Sequence, residues 1–559
     1  MFHNLGHIRV ILPVRKGETM KLSKVFAAAL ALALMLAACS TAQIGSDQNP
    51  APPKDGGTAV DAVEIRLSDN EITVNGMPAE SDPENDVYIE NDIIYYAAGR
   101  DFTYGEGTEE DAHSTEAAAE HTVVHITQPG SYSISGSLAK GQIAVDLGDD
   151  AEEDPEAIVT LILNGTDISC EVAPAIIFYH VYECGSADTD NASKDVDTSS
   201  AGANVIIADG TTNTINGSYV ARIYRPDSVV LNEAGTEVEE AKKLHKYDGA
   251  FYSKMSMNVS GGSENSGILI INAENEGLDS ELHLTINGGI ICINSGNDGI
   301  NTNEDGVSVT TVNGGELHIQ VTGETGEGDG IDSNGWLVIN GGAITAQACS
   351  FSGDAGIDSD MGIHINGGTV IATGHMLDRI EDGGQNYAAF TFAEKQSGSH
   401  TISLKDDNGI SVLETCPKND YSILICSSPD LTAGTYTLWS NGVKLAGQRG
   451  DMMGGAGMPG MPGMMPGGDM PPEQPGAQMP NGIMPPEFPE GMTLPEGDRP
   501  FEGQKPPEGI GKPEGGDPVD RPDGQWEPDN RNDGLPQEQT TEFQISDGGN
   551  LFRGISQAE

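Results

Sequence analysis

Short stretches in which apolar and polar residues alternate recur along most of the chain, separated by turns rich in Gly, Asn and Asp. Between residues 62 and 445 this alternation is typical of half-buried β-strands, because successive strand side chains point to opposite faces. No long stretch in this range has the 3.6-residue period of an amphipathic helix. The pattern therefore predicts an all-β domain.

One sequence motif occurs four times between residues 276 and 368. Each copy has a Gly, an aliphatic residue, an acidic or amide residue, a Ser or Thr, and a second acidic or amide residue. A short apolar alternation and Asn-Gly-Gly then close the copy. The copies begin at Gly277, Gly299, Gly330 and Gly356 and close at Asn287, Asn313, Asn340 and Asn366.

The closing Asn residues recur at steps of about 26 or 27 residues, a period typical of a solenoid. A parallel coil stacks equivalent residues about 4.8 Å apart, which gives a physical reason for the repeat. A β-sandwich has many short strands but no need for one period. We therefore predict a right-handed parallel β-helix, with a disordered region rich in Pro, Gly and Met near the carboxyl end.

The first 39 residues are predicted to be a signal peptide with its true start at Met20. Lys21 and Lys24 precede a short apolar run, and small residues then lead into Cys39. This order is typical of a secretory signal, and the apolar run is too short to span a membrane. The Leu-Ala-Ala-Cys sequence resembles the lipobox of bacterial lipoproteins. We expect a lipid on Cys39 to anchor the protein outside the cell, at the bacterial cell membrane.

Composition divides the rest of the chain into four parts. Residues 40–60 are predicted to be a flexible tether, and residues 61–447 a β-helix. Residues 448–540 are rich in Gly, Pro, Met and acidic residues, which predicts a disordered loop with little to bury. Residues 541–559 alternate again, so we expect them to dock back on the β-helix as a strand.

The formal net charge is −58, from 86 acidic and 28 basic residues. A surface of this sign repels phosphate, so nucleic acid is excluded as a natural partner. It favours cations instead. Carboxylate and amide oxygens in turns are hard ligands of the kind that calcium prefers, so calcium is the predicted cofactor.

Strand alternation places the aliphatic and hydroxyl residues of the motif inward and its acidic and amide residues outward, in columns. No Lys or Arg occurs between Met255 and Asp378, so we expect the counter-charge to be a bound cation rather than protein. The alternative is that these residues cap nearby backbone amides in turns. The predicted calcium ligands are Asp279, Glu281, Asp298, Asn301, Asn303, Asp329, Asp332, Asn334, Asp354, Asp358 and Asp360.

Two early segments carry a family resemblance. The sequences of Ile126–Val145 and Val159–Ile168, together with Asp248–Lys254 and the repeats, resemble a family of bacterial β-helix carbohydrate-binding domains that are similar in shape to pectate lyases. The resemblance covers residues 60–445. It implies binding of plant-type polysaccharides, including acidic sugars, and calcium on the wall of the helix.

Trp336 is the best candidate for a sugar-stacking residue, because alternation leaves its indole outside, next to Asp332 and Asn334. The alternative is that it packs under a loop. An aromatic content of 5% argues against an extended stacking platform. An acidic glycan bridged by calcium fits better, since the ion joins a protein carboxylate to a uronate.

The same repeats carry little catalytic chemistry, and we predict no catalytic residue. A pectate-lyase-type elimination needs a basic residue near the calcium, and only Lys254 and Arg379 flank the repeats. A hydrolase that uses paired carboxylates remains the alternative, ahead of a lyase. The histidines of this region, His283, His318 and His364, are expected on strand surfaces. A calcium-dependent adhesin or spacer is a third alternative.

Six cysteines follow Cys39. Cys170 with Cys184 and Cys416 with Cys426 lie close enough in sequence to pair in an oxidising compartment. No Cys-x-x-Cys pair or Cys/His cluster indicates zinc.

Overall fold

The structure is a computed structural model that describes residues 62–450 and 539–558. The predicted signal peptide and tether, Cys39 and most of the predicted disordered region lie outside these residues. The chain divides into residues 1–63, of which only 62 and 63 are described, and a compact unit of residues 64–559. In the described part of the chain, no helix combines the length and apolar character that a membrane span requires.

The described part of the chain is nearly all β, with 46% of its residues in strands and 3% in helices. The short helix α1 (Thr115–Ala119) begins at Ser114, whose hydroxyl accepts from the backbone N of Ala117. Two 3-10 helices span Asp149–Glu153 and Thr189–Asn191. The strands are β1 (Val63–Leu67), β2 (Thr73–Val74), β3 (Met77–Pro78), β4 (Val87–Glu90), β5 (Thr122–Ile126), β6 (Gly130–Leu138), β7 (Gly141–Asp146), β8 (Val159–Ser169), β9 (Ile176–His180), β10 (Ala203–Ile207), β11 (Thr212–Gly217), β12 (Val230–Leu231), β13 (Val238–Glu240), β14 (Gly249–Ser253), β15 (Met257–Gly261), β16 (Ile268–Ala273), β17 (Glu276–Ser280), β18 (His283–Ile286), β19 (Ile290–Ser295), β20 (Ile300–Thr302), β21 (Val309–Val312), β22 (Glu316–Val321), β23 (Trp336–Ile339), β24 (Ala343–Gln347), β25 (Gly362–Ile365), β26 (Thr369–Gly374), β27 (Tyr387–Gln396), β28 (Ile402–Lys405), β29 (Ser411–Thr415), β30 (Tyr421–Ser427), β31 (Gly434–Ser440), β32 (Val443–Arg449), β33 (Phe543–Ile545) and β34 (Gly549–Gln557).

Most of these strands belong to three parallel ladders. The first ladder runs from β10 through β15, β18, β21 and β23 to β25. The second runs from β11 through β16, β19, β22 and β24 to β26. The third joins β5, β7, β9, β14, β17 and β20. From β15 to β20 the chain visits the three ladders in turn, twice, so each copy of the repeat lies directly above the previous one. The predicted all-β class is confirmed.

The inward positions of the repeat form the core of this stack. Its four aliphatic residues are fully buried, and so are its hydroxyl residues, as the alternation predicts. Thr302 Oγ1 and Ser333 Oγ lie 2.8 Å apart, so hydroxyls on neighbouring rungs bond to each other. These buried hydroxyl groups therefore have hydrogen-bond partners, which offsets the free-energy cost of burying them. The two sets are Leu278, Ile300, Ile331 and Ile357, and Ser280, Thr302, Ser333 and Ser359.

The glycine that opens each copy leaves no room for a side chain. A Cβ on Gly277 would lie 2.4 Å from the carbonyl oxygen of Gly299, and one on Gly299 would lie 2.5 Å from that of Gly330. Gly330 meets Gly356 in the same way, at 2.3 Å. The repeat therefore keeps Gly because the next rung approaches the backbone closely.

Substituting Gly330 with Ala should destabilise the protein by about 1–3 kcal/mol, because the added methyl overpacks the contact with the next rung. Chemical denaturation measures the effect. Gly353→Ala is the matched control, since nothing lies within 4 Å of a Cβ there. Equal stabilities for the two variants would contradict the close stacking of rungs.

The Asn residues that close the repeats form a stack of amides on the outside. Asn313 Nδ2 donates to Asn287 Oδ1 at 2.9 Å, Asn340 Nδ2 to Asn313 Oδ1 at 2.9 Å, and Asn366 Nδ2 to Asn340 Oδ1 at 2.8 Å. We call this set the outer amide stack. It holds the turns of successive rungs in register.

Strands β33 and β34 lie in the segment 541–559 and complete the sheet beyond β26. β34 pairs in parallel with β27 and antiparallel with β32. Phe543, Phe552 and Ile555 are buried in a cluster with Phe390 of β27. The segment thus supplies core side chains as well as backbone pairing.

Cys170, Cys184, Cys416 and Cys426 are free thiols in this structure, so neither suggested pair is formed. Cys426 lies in the hydrophobic cluster around β30, whereas Cys416 is exposed. Burial raises the pKa of both Cys170 and Cys426 to about 12. Such thiols are poor nucleophiles at neutral pH.

Candidate functional site

The structure brings together three of the predicted metal ligands: Asp329, Asp332 and Asp358, which we call the acidic cluster. Each contributes one carboxylate oxygen, and these oxygens all lie within 4.8 Å of one another. Ile331 bridges to Ile300 in parallel and is fully buried. Because side chains alternate along an extended segment, an inward Ile331 turns the neighbouring Asp332 to the opposite face.

Burial strongly favours the neutral form of these carboxyl groups. It raises the pKa of Asp329 to about 10, that of Asp332 to about 8, and that of Asp358 to about 7. Neighbouring carboxylates add to each shift, Asp298 for the first two and Asp378 for the third. Without a nearby positive charge, the three carboxyl groups therefore cannot all ionise at neutral pH.

Hydrogen bonds satisfy only part of this cluster. The backbone N of Asp329 donates to Asp298 Oδ1 at 2.7 Å, and the backbone N of Ala355 donates to the Asp329 carboxylate. Asp358 Oδ1 is buried and has no hydrogen-bond partner. Within residues 62–450 and 539–558, no basic side chain forms an ion pair with Asp298 or with the cluster. Three carboxylates with an orphaned oxygen are a donor set that fits calcium.

A second group of carboxylates and amides lies at β17 and β20, on the lower rungs of the third ladder. Asn303 Nδ2 donates to Asp279 Oδ1 at 2.6 Å, and Asn301 Nδ2 donates to Glu276 Oε1 at 3.1 Å. The second carboxylate oxygens, Asp279 Oδ2 and Glu276 Oε2, are buried without hydrogen-bond partners. The amide oxygen of Asn301 is also buried without a partner. Burial and mutual repulsion raise the pKa of both Asp279 and Glu276 well above the usual range.

The prediction that these lower-rung residues face solvent was wrong. Asp279 is 0% exposed and Asn301 6%, and Asn303 is also buried. The connection between β11 and β14 contacts this end of the ladder. For example, its Tyr247 packs edge-on against Tyr252 with ring centroids 5.3 Å apart.

The same connection supplies basic residues, so the expectation that protein gives no counter-charge was wrong for this end. Arg222 pairs with Asp248 at 3.0 Å, and Lys246 lies 3.5 Å from Glu281. Glu281 also accepts from the hydroxyl of Tyr252 at 2.6 Å. Asp248 and Glu281 at the lower end are therefore paired with basic residues, whereas no described ion pair reaches Glu276, Asp279 or the acidic cluster.

Three further predicted ligands are not members of the acidic cluster. Asn334 Nδ2 donates to the Asn303 carbonyl at 2.9 Å and to Asp305 Oδ1 at 3.0 Å. Asp354 Oδ2 accepts from the backbone N of Gly328 at 2.6 Å. Asp360 is exposed. Asn334 and Asp354 thus bond to the protein itself, and Asp354 caps a backbone amide as the alternative describes.

Trp336 is the first residue of β23, opposite Val309 and Gly362 in the neighbouring rungs. It is half-buried. Its backbone carbonyl accepts from the hydroxyl of Ser333, 3.0 Å away. This bond ties Trp336 to the turn that carries Asp332.

The expectation of a surface position was wrong for His283, which is 3% exposed. Its Nδ1 accepts from the backbone N of Val309, and burial lowers its pKa to about 4. His318 and His364 are half-buried, and His318 Nε2 lies 2.8 Å from Glu316 Oε1. These contacts are structural.

Two carboxylates of the site were not among the predicted ligands. Glu276 precedes the first repeat glycine, at the same offset as Asp298 and Asp329, so the repeat itself contained the signal. Asp378 lies after the last copy, outside the period. Its Oδ2 accepts from the backbone N of Ser359 at 3.2 Å, and its charge raises the pKa of Asp358.

Comparison with known proteins gives two findings. The family model described as carbohydrate-binding domain-containing protein matches residues 120–409. A solved structure of a polysaccharide lyase-like protein from C. thermocellum, a gadolinium derivative, is 18% identical and aligns over 54% of this chain and 90% of that chain, with a TM-score of 0.30. No curated protein matches the sequence.

Proposed function

This chain belongs to the family of carbohydrate-binding domain-containing proteins, and from that premise we propose that it binds polysaccharide without cleaving it, through bound calcium. The observation that carries the proposal is the acidic cluster, with three carboxylate oxygens within 4.8 Å and no ion pair to a described basic residue. Asp329, Asp332 and Asp358 are the proposed ligands.

Calcium supplies the charge that lets these buried carboxyl groups ionise. A cation held by only part of its ligand shell can also accept the carboxylate of a uronate. The proposed ligand is therefore a uronate-containing polysaccharide. Trp336, Asp332 and Asn334 form the proposed sugar contact, since Trp336 is tied to the turn that carries Asp332.

The proposal extends to architecture and location. The cyclic visits to three parallel ladders support a right-handed parallel β-helix, in which one wall carries the acidic column. The apolar run and the Leu-Ala-Ala-Cys sequence before the fold support export and a lipid anchor on Cys39, outside the bacterial cell. A lipid anchor would hold the glycan site at the cell surface.

The test is affinity electrophoresis in native gels that contain polygalacturonate, run with millimolar calcium or with EDTA. We expect calcium-dependent retention that is reduced about tenfold or more in Asp332→Asn, because the variant loses a charged ligand. Trp336→Ala should also weaken retention, by several-fold. Asp430→Asn removes an exposed carboxylate far along the sequence and serves as the matched control.

Each alternative function has its own outcome in this experiment. Release of reducing ends would indicate a hydrolase, and release of unsaturated uronate would indicate a lyase. Calcium binding without any retention would favour an adhesin or spacer. Unchanged retention in both Asp332→Asn and Trp336→Ala would overturn the proposed site.

A further inference from the structure

A second concave surface lies at the ends of strands in the second ladder. Its volume is about 320 Å³, within the range of small-molecule sites. It shares no residue with the acidic cluster. We call it the amide groove and define it by Asn216, Asn272, Asn294, Glu171, Glu274 and Glu324.

The floor of the groove is a stack of amides on three successive rungs. Asn216 pairs in register with Asn272, and Asn272 with Asn294. Asn294 Nδ2 donates to Asn272 Oδ1 at 2.9 Å, and Asn272 Nδ2 donates to Asn216 Oδ1 at 2.9 Å. Asn216 Nδ2 in turn donates to Ser169 Oγ at 3.0 Å. These bonds fix the orientation of each amide before any ligand arrives.

The stack leaves hydrogen-bonding capacity for a ligand. A carboxamide has two N–H groups and two lone pairs, and the stack uses one of each on Asn272. The remaining N–H and lone pair can meet a hydroxyl group, which both donates and accepts. Because the amides repeat at the strand spacing of about 4.8 Å, they suit a ligand whose hydroxyls also repeat.

The walls of the groove carry negative charge. Glu171, Glu274 and Glu324 line it, and Ser218 Oγ donates to Glu274 Oε2 at 2.7 Å. No basic and no aromatic side chain is among the described residues that line it. Carboxylates accept hydrogen bonds from hydroxyls but repel anions. The groove therefore disfavours a uronate.

We propose that the amide groove binds a neutral polysaccharide through its hydroxyl groups, without metal. The inference rests on the proposed function as a glycan-binding protein, but it assigns a separate site and a different sugar class. The acidic cluster then takes the charged glycan through calcium, and the amide groove takes an uncharged one directly. The two sites lie on different ladders of the same unit.

The experiment is affinity electrophoresis of the full chain in EDTA. The gels contain hydroxyethyl cellulose, xylan or galactomannan as neutral probes, polygalacturonate as the anionic probe and chitosan as the cationic one. We expect retention by at least one neutral probe. Asn272→Ala should raise its dissociation constant about tenfold, through the loss of one or two hydrogen bonds.

Two further variants separate binding from folding. Glu324 is exposed, so Glu324→Ala leaves the core intact and should still weaken retention several-fold. Asn340→Ala is the matched control, because it breaks the same kind of amide contact in the outer amide stack. It should retain the neutral probe as wild type does.

No retention by any neutral probe would overturn the inference, as would wild-type retention in both groove variants. Retention by chitosan alone would also overturn it, because the ligand would then be an ammonium-bearing sugar. Loss of retention by the neutral probes in EDTA would contradict only the proposed amide groove. Loss of retention by polygalacturonate in calcium would contradict only the proposed calcium site, so the two proposals can be tested separately.

Discussion

Calcium at millimolar concentration is expected to raise the melting temperature of the chelator-stripped protein by on the order of 5 °C. A ligand that binds only the folded state stabilises it by about 2.7 kcal/mol at one hundred times its dissociation constant. In a protein of this size each kcal/mol of stabilisation raises the melting temperature by about 2 °C. Differential scanning calorimetry measures the shift, and titration calorimetry measures the heat of binding.

The variant Asp332→Asn tests the residues behind this shift. An amide keeps the shape of the side chain but removes one of the three clustered carboxyl groups. The calcium-free variant should be as stable as wild type or more so, since a buried carboxyl group that is costly to ionise is gone. Its response to calcium should largely disappear, whereas Asp430→Asn should respond fully. Binding heat and a melting shift that survive in Asp332→Asn would remove this residue from the calcium site.

Without calcium, stability should fall by several kcal/mol as the pH rises from 4 to 8. The carboxyl groups of Asp298, Asp358, Asp332 and Asp329 titrate near 3.8 in the unfolded chain, but their folded pKa values are about 7, 7, 8 and 10. Between these limits the folded state binds more protons than the unfolded state. The free energy of unfolding therefore decreases with rising pH, and the stabilisation is fully present only below about pH 4.

Denaturant titrations at several pH values measure this slope, with and without calcium. Asp358→Asn removes one titrating group, so it should flatten the calcium-free slope by about 1.4 kcal/mol per pH unit between pH 5 and 7. Saturating calcium should reverse the trend above pH 7, since the ion binds the ionised carboxylates. Stability that stays constant or rises between pH 4 and 8 in EDTA would contradict the buried, uncompensated cluster.

Residue alternation predicted the inner half of the repeat well. Leu278 and Ser280 lie on a strand whose neighbours repeat the same pattern, and their burial follows from that period alone. Asp329, Asp332 and Asp358 were among the predicted ligands, and stacking brings Asp332 and Asp358 onto neighbouring rungs because they hold equal offsets in successive copies. The period of the sequence therefore predicts which residues lie next to each other in the stack.

Residues outside the period were not predictable in this way. Arg222 and Lys246 reach the acidic ladder from a connection with no repeat, so their ion pairs depend on tertiary packing. The same packing buries Asp279, which alternation alone placed on the surface. His283 was misplaced for a related reason, because its hydrogen bond to Val309 N on the next rung holds the ring inside.

The pairing of β27 with β34 sets an order for biosynthesis. β27 ends at residue 396 and β34 begins at residue 549, so 549 − 396 = 153 positions separate them. At a translation rate of about 5–20 residues per second, the ribosome needs on the order of ten to thirty seconds to make that stretch. Throughout this interval Phe390 lacks Phe543 and Phe552, the rings it packs against in the finished sheet. Each repeat needs only its neighbours in order to stack, whereas the apolar surface around Phe390 stays uncovered until β34 is made, so this end of the protein is the last to complete its core.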